Sequence, residues 1–190
     1  MLSEPDRRQL DAEKQAFRDW WAGEKDRPYL LKRHESYGVC RILFPDWLTT
    51  WRFNLRFVVM RAVGKVLTSW LKVRLYRLMG VRIGKGVYIA PDVFIDAFYP
   101  RLVEIEDGCF LGMGCRLLTH EYTAAAFRVG RVRVGKGSVV GGWSTIRCGV
   151  TLGQGVTTGL GSVVVSDVPA GWTVGGVPAR PLQAREDGVR

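Results

Sequence analysis

Histidine is nearly missing from this sequence: His34 and His120 are the whole supply among 190 residues. So small a supply argues against a zinc centre that needs three imidazoles. Long apolar runs are missing too. None approaches the ~20 residues needed to cross a bilayer. The opening residues MLSEPDRRQL lack the apolar core of a secretory leader, so the cytoplasm is the expected location. The four cysteines (Cys40, Cys109, Cys115, Cys148) show neither CxxC spacing nor a disulfide framework. Acidic residues are absent from Trp51 to Gly80, where Arg52, Arg56, Arg61, Lys65, Lys72, Arg74 and Arg77 all stand.

That gap makes the net charge of +10 uneven. A basic stretch attracts an anion: a phosphate-rich cofactor, an acidic lipid surface or a nucleic acid. Nucleic acid ranks last, because the stretch carries no zinc-finger spacing, no RNP-type aromatic motif and no helix-turn-helix pattern.

What is present is a repeat of six. The first block reads IGKGVY-IAPDVF-IDAFYP, then RLVE, then IEDGCF-LGMGCR-LLTHEY. The second reads VGKGSV-VGGWST-IRCGVT-LGQGVT-TGLGSV-VVSDVP. Position one is aliphatic from Ile83 to Val164, with Thr158 the sole departure. Position five is small or β-branched in ten of the twelve hexads, Cys109, Cys115, Ser138, Ser144 and Ser162 among them. A fixed short period signals a solenoid. Six residues make a short strand and a turn, so three hexads close one triangular coil. Both positions then point inward, and the frequent glycine of position two marks the turn. Twelve hexads give four coils, about 19 Å of stack at the usual strand spacing. A protruding loop, 123–133, divides them, and His120 stands at its base.

Ahead of the coils the sequence reads as helical. Ser3 to about Gly23 forms a first helix, capped by Ser3, with Leu10, Phe17 and Trp21 on one face. Residues 24–45 are irregular. Asp46 caps a long segment reaching Met79, which Gly64 bends or splits. Its stripe of Trp47, Trp51, Leu55, Val58, Ala62, Val66 and Trp70 has two readings: core or subunit contact, or a helix lying on a membrane surface. The expected organisation is an α-helical extension over 1–80, coils over 81–169 and a C-terminal tail over 170–190 that leaves the coil.

The sequence resembles the hexapeptide-repeat acyltransferases through VRIGKGVYIAPDV, LLTHEY before a loop, GGWSTIRCGVTLGQGVTTGLGSVVVSDVPAG and the closing GGVPAR. It is most similar to the maltose, galactoside and xenobiotic O-acetyltransferase branch. The resemblance covers roughly residues 71–182 and implies a mainly β fold, a left-handed parallel β-helix. It also implies a homotrimer with a site in each groove between protomers, acetyl-CoA as acyl donor, and no metal. His120 falls where the family's general base belongs, whereas His34 reads as a surface residue. An imidazole titrating near neutrality can take the proton of an attacking hydroxyl or amine. Glu121 or a backbone carbonyl is expected to orient the ring. Residues adjacent in a strand point oppositely, so Glu121 serves only if the chain turns there. Gly142 falls where the family presents a backbone N–H, across the protomer boundary, to the thioester oxygen. The donor is expected along Gly141, Gly142, Trp143, Gly159, Leu160 and Ser166, the last replacing a lysine frequent in relatives. Pro178, Ala179 and Arg180 are expected at its adenosine end. Trp143 either walls the thioester channel or fills the protomer interface. Asp96, Tyr99, Tyr122 and Phe127 are the expected contacts of a small hydroxylated acceptor, first of all a sugar.

Three other readings set limits. A zinc carbonic anhydrase of the same fold is opposed by the single coil histidine. A non-catalytic trimeric scaffold would not need the histidine or the GVPAR tail. An acyltransferase acting on a lipid-linked saccharide would use the basic N-terminal helices for peripheral contact with the inner membrane surface.

Overall fold

A computed structural model describes residues 4–23, 28–32, 47–122 and 126–184. Three faces of short parallel strands wind around one axis. The first face stacks β2 (Arg82–Ile83), β5 (Val103–Ile105), β10 (Val132–Val134) and β13 (Thr151–Leu152). The second stacks β3 (Tyr88–Ile89), β6 (Phe110–Leu111), β11 (Val139–Val140) and β14 (Thr157–Thr158). The third stacks β4 (Phe94–Ile95), β7 (Arg116–Leu117), β12 (Thr145–Ile146) and β15 (Val163–Val164). Register places position one over position one: Ile95 on Leu117, Leu117 on Ile146, Ile146 on Val164. These side chains and the cysteines and most valines of position five form the core. Thr158, the exception, is buried with its Oγ1 accepting the Gly141 N–H at 2.9 Å, so its hydroxyl is satisfied. The Ser144 and Ser162 hydroxyls donate to Gly159 O at 2.8 and 2.7 Å.

The glycines divide their work differently from the expectation. The turns fall at position four, where Gly86, Gly108, Gly114, Gly137, Gly149, Gly155 and Gly161 have positive φ. At position two the demand is clearance between coils: a Cβ on Gly112 would lie 2.5 Å from Gly142 N, and one on Gly141 2.5 Å from Thr158 O. The tail is also different. Rather than leaving the coil, β16 (Trp172–Gly176) runs parallel to β14 and extends the second face. It then folds back antiparallel as β17 (Ala179–Ala184).

Ahead of the coils come α1 (Glu4–Ala22), β1 (Tyr29–Lys32), α2 (Trp47–Lys65) and α3 (Ser69–Leu78). The expected caps Ser3 and Asp46, together with His34 and Cys40, lie outside the described residues. The long segment divides just after Lys65. Gly64 serves as a contact there, since a Cβ would lie 2.7 Å from Val93 O. Helices α2 and α3 cover the open edge of the first coil. Asp92 N–H donates to Gly64 O at 2.8 Å, Ile89 N–H to Ser69 Oγ at 2.9 Å, and Tyr76 Oη–H to Val93 O at 3.1 Å. Met60 and Val63 bury against the coil, with Phe53 packed beside them. The expected apolar stripe is therefore not core: Trp51, Leu55, Val58 and Trp70 face outward.

The protruding loop is a hairpin, β8 (His120–Tyr122) with β9 (Ala126–Val129). β1 pairs antiparallel with β9, so the N-terminal region adds a third strand to it. Phe17, Trp20, Trp21, Tyr29 and Tyr99 pack around buried Leu102, Phe127 and Val129 to hold that sheet on the coil. Pro28 seats against Gly149, where a Cβ would lie 2.3 Å from its Cγ.

Candidate functional site

The hairpin leaves the coil at the corner between the third and first faces, and His120 is the first residue of its first strand. Its Nδ1 lies 2.5 Å from Asp96 Oδ2. Asp96 belongs to the preceding coil and is 1% exposed. Its Oδ2 also accepts the Thr119 N–H and hydroxyl, each at 2.9 Å, and its Oδ1 accepts the Phe98 N–H at 2.9 Å. Burial opposes ionisation of this carboxyl. The hydrogen bond and charge of His120, with the Phe98 and Thr119 N–H groups, outweigh it and hold Asp96 below the ordinary carboxylate range. An ionised carboxylate only accepts, which assigns the proton to Nδ1 and leaves Nε2 as the basic nitrogen.

Glu121, the expected orienting residue, is not the one. β8 is extended, so Glu121 points away from the His120 ring. It takes a two-pronged contact from Arg147, with Nε on Oε2 at 2.7 Å and Nη2 on Oε1, and Arg128 Nε lies 3.7 Å from Oε1. Glu121 thus ties the hairpin to the third coil. Asp96, expected on the acceptor side, has both oxygens occupied by His120 and backbone.

Aromatic rings enclose the histidine. Phe98 lies 4.0 Å from it between centroids, Phe127 6.0 Å, and Tyr122 6.2 Å edge-on. Tyr122 is exposed and packs on buried Phe127 at 4.6 Å. The Tyr99 ring turns to the N-terminal cluster, 5.6 Å from Trp21. Burial, then the nearby Tyr122 and Asp96 charges, push its phenol pKa up. Of the expected acceptor and catalytic residues, the structure gathers His120, Asp96, Tyr122 and Phe127 on one corner, with Tyr99 behind.

The expected donor residues lie elsewhere in the same chain. Gly141, Gly142 and Trp143, with Gly159 and Leu160, occupy the corner between the second and third faces. Gly142 leaves a notch between neighbours in the stack: a Cβ there would meet Met113 O at 3.1 Å and Leu160 Cδ2 at 3.5 Å. Its N–H donates to no group among the described residues. Trp143 holds φ at +55°, where the corresponding residue of most hexads is glycine. A bulky residue in that region costs about 1–3 kcal/mol, yet its side chain is 58% exposed, beside Leu160 at 77%. Pro178, Ala179 and Arg180 sit where β16 turns into β17. Ser166 is exposed on the His120 corner, two coils further on.

Sequence reasoning missed Phe98, Arg128, Arg147 and the strand pairing of β1. Arg147 had a signal, since it stands at position two, where glycine is frequent.

No family model matches the chain. It is 30% identical over 132 residues to the candidate acetyltransferase YvoF of Bacillus subtilis, covering 69% of this chain and 77% of that one. A candidate acetyltransferase of Staphylococcus aureus strain N315 is 36% identical over 100 residues, 52% of this chain and 62% of its own. Among solved structures, the hexapeptide-repeat acetyltransferase VCA0836 of Vibrio cholerae, complexed with acetyl-CoA, superposes with a TM-score of 0.63 at 20% identity. That match covers 76% of this chain and 93% of the other. A maltose O-acetyltransferase of Clostridium difficile superposes with a TM-score of 0.59 at 20% identity, over 75% and 91%. These likenesses give the coil its class, the left-handed parallel β-helix.

Proposed function

The chain belongs to the hexapeptide-repeat acetyltransferases, and on that premise we propose that it moves an acetyl group from acetyl-CoA to a hydroxyl of a sugar or sugar-containing small molecule, with His120 as general base. One observation carries this reading: the sole coil histidine is held by a buried carboxylate at 2.5 Å, inside an aromatic enclosure at the base of the hairpin. Asp96 fixes the ring and the tautomer and favours the imidazolium that forms when Nε2 takes the acceptor's proton. Phe98, Tyr122 and Phe127 offer flat apolar faces suited to the C–H face of a sugar ring.

Acetyl-CoA supplies an activated thioester. The exposed apolar Met113, Trp143 and Leu160 suit its pantetheine arm. Arg180 is exposed and offers its cation to a phosphate, with Pro178 and Ala179 beside it for the adenine. The unpartnered Gly142 N–H is the donor for the thioester oxygen. These residues stand on a different corner from His120, so one protomer holds half of each site. That separation supports a homotrimer in which the His120 corner of one copy faces the Gly142 corner of the next.

The test is a free-thiol release assay across hydroxylated acceptors. His120→Ala is expected to lower turnover by ~10²–10⁴ while CoA still binds by calorimetry. Unchanged turnover in that variant would overturn the assignment.

A further inference from the structure

We propose that the outer face of α2, with the exposed Trp70 of α3, docks on an anionic lipid bilayer surface. At 100° per residue, Leu48, Trp51, Leu55, Val58 and Ala62 fall on one stripe of α2. The opposite side is occupied, since Met60 and Val63 bury against the first coil. The stripe is open: Trp51 is 56% and Val58 62% exposed. Isolated surface apolars need no explanation, but a contiguous helical stripe that includes a tryptophan does.

Charge selects the occupant. Arg52 borders the stripe on one side and Lys65 on the other, both exposed. Arg74, also exposed, lies over the Trp70 ring at 5.4 Å. No acidic residue occurs from Trp47 to Pro91, and none of these three cations has a carboxylate partner among the described residues. A second copy of this face would oppose cation to cation. An anionic headgroup layer satisfies the cations while the acyl boundary takes the tryptophans. No described helix is long and apolar enough to cross a membrane, so α2 lies in the plane of the interface. Phe53 on its inner side is 4.3 Å from Phe98, itself 4.0 Å from His120. Docking therefore brings the His120 corner to about one helix diameter, ~10 Å, from the lipid.

Co-sedimentation of the full chain compares vesicles of phosphatidylcholine alone with vesicles containing about one-third phosphatidylglycerol. The expected result is binding to the anionic vesicles at least about tenfold stronger than to the neutral ones, weakening with salt. Leu55→Glu with Val58→Glu should lose about tenfold or more. Arg52→Ala with Lys65→Ala, which leaves the apolar stripe intact, should lose about tenfold on anionic vesicles only. Both pairs should keep the native melting temperature, turnover of a soluble acceptor and sedimentation coefficient without lipid. Three results would overturn the proposal: no binding of the native chain to either vesicle, equal binding of the charge pair, or a changed oligomeric state in the Leu55/Val58 pair, which would make the stripe a contact between copies.

Discussion

Asp96 keeps its charge where burial works against it, because His120 and two backbone N–H groups face it. A carboxyl held below its unfolded value stabilises the fold above that value, about 3.9, and the contribution is lost as pH falls through the lowered folded value. Asp96→Asn should therefore be less stable than the native chain at pH 7. The gap should narrow as thermal melts are taken to more acidic buffers, and a gap constant from neutral to strongly acidic pH contradicts the assignment. The same variant should lose about 10²-fold or more in turnover, since an amide can no longer accept at both oxygens and fix the tautomer. Glu121→Gln should leave turnover within a few fold and cost at most about 1 kcal/mol of stability, because its partners are partly exposed arginines. The hexad frame sets His120 at the base of the loop from sequence alone, but its partner was hidden. Asp96 is 24 residues away and reaches His120 only by stacking of coils, whose register the RLVE insertion blurs. Glu121 is the carboxylate that the linear order sets beside His120.

Among the elements, the coils were the most legible part because positions one and five repeat an inward demand every six residues. The helices were less so. Helical periodicity shows that a face is apolar, not which way it points, and α2 is apolar on both sides, with Met60 and Val63 inside and Trp51 and Val58 outside. The pairing of β1 with β9 joins Tyr29 to Val129, a contact that a four-residue strand does not announce. The joint between helices and coil gives a sharp prediction at Gly64. Its Cβ would lie 2.7 Å from a backbone oxygen, so Gly64→Ala should cost about 1–3 kcal/mol in chemical denaturation. An unchanged midpoint would show that α2 does not press on the first coil as described.

Across the whole molecule, the decisive relation is between two corners of one triangular prism. His120 and Asp96 occupy one, Gly142 and Leu160 another, and the proposed trimer joins them between copies. The most direct test mixes two crippled chains in one assembly: His120→Ala, lacking the base, and Gly142→Val, whose side chain crowds Met113 O and Leu160. Each alone should be inactive in thiol release. A co-expressed equal mixture should recover about a quarter of native turnover, because each mixed trimer rebuilds one intact site of its three. A mixture no more active than its parents would contradict a site shared between protomers.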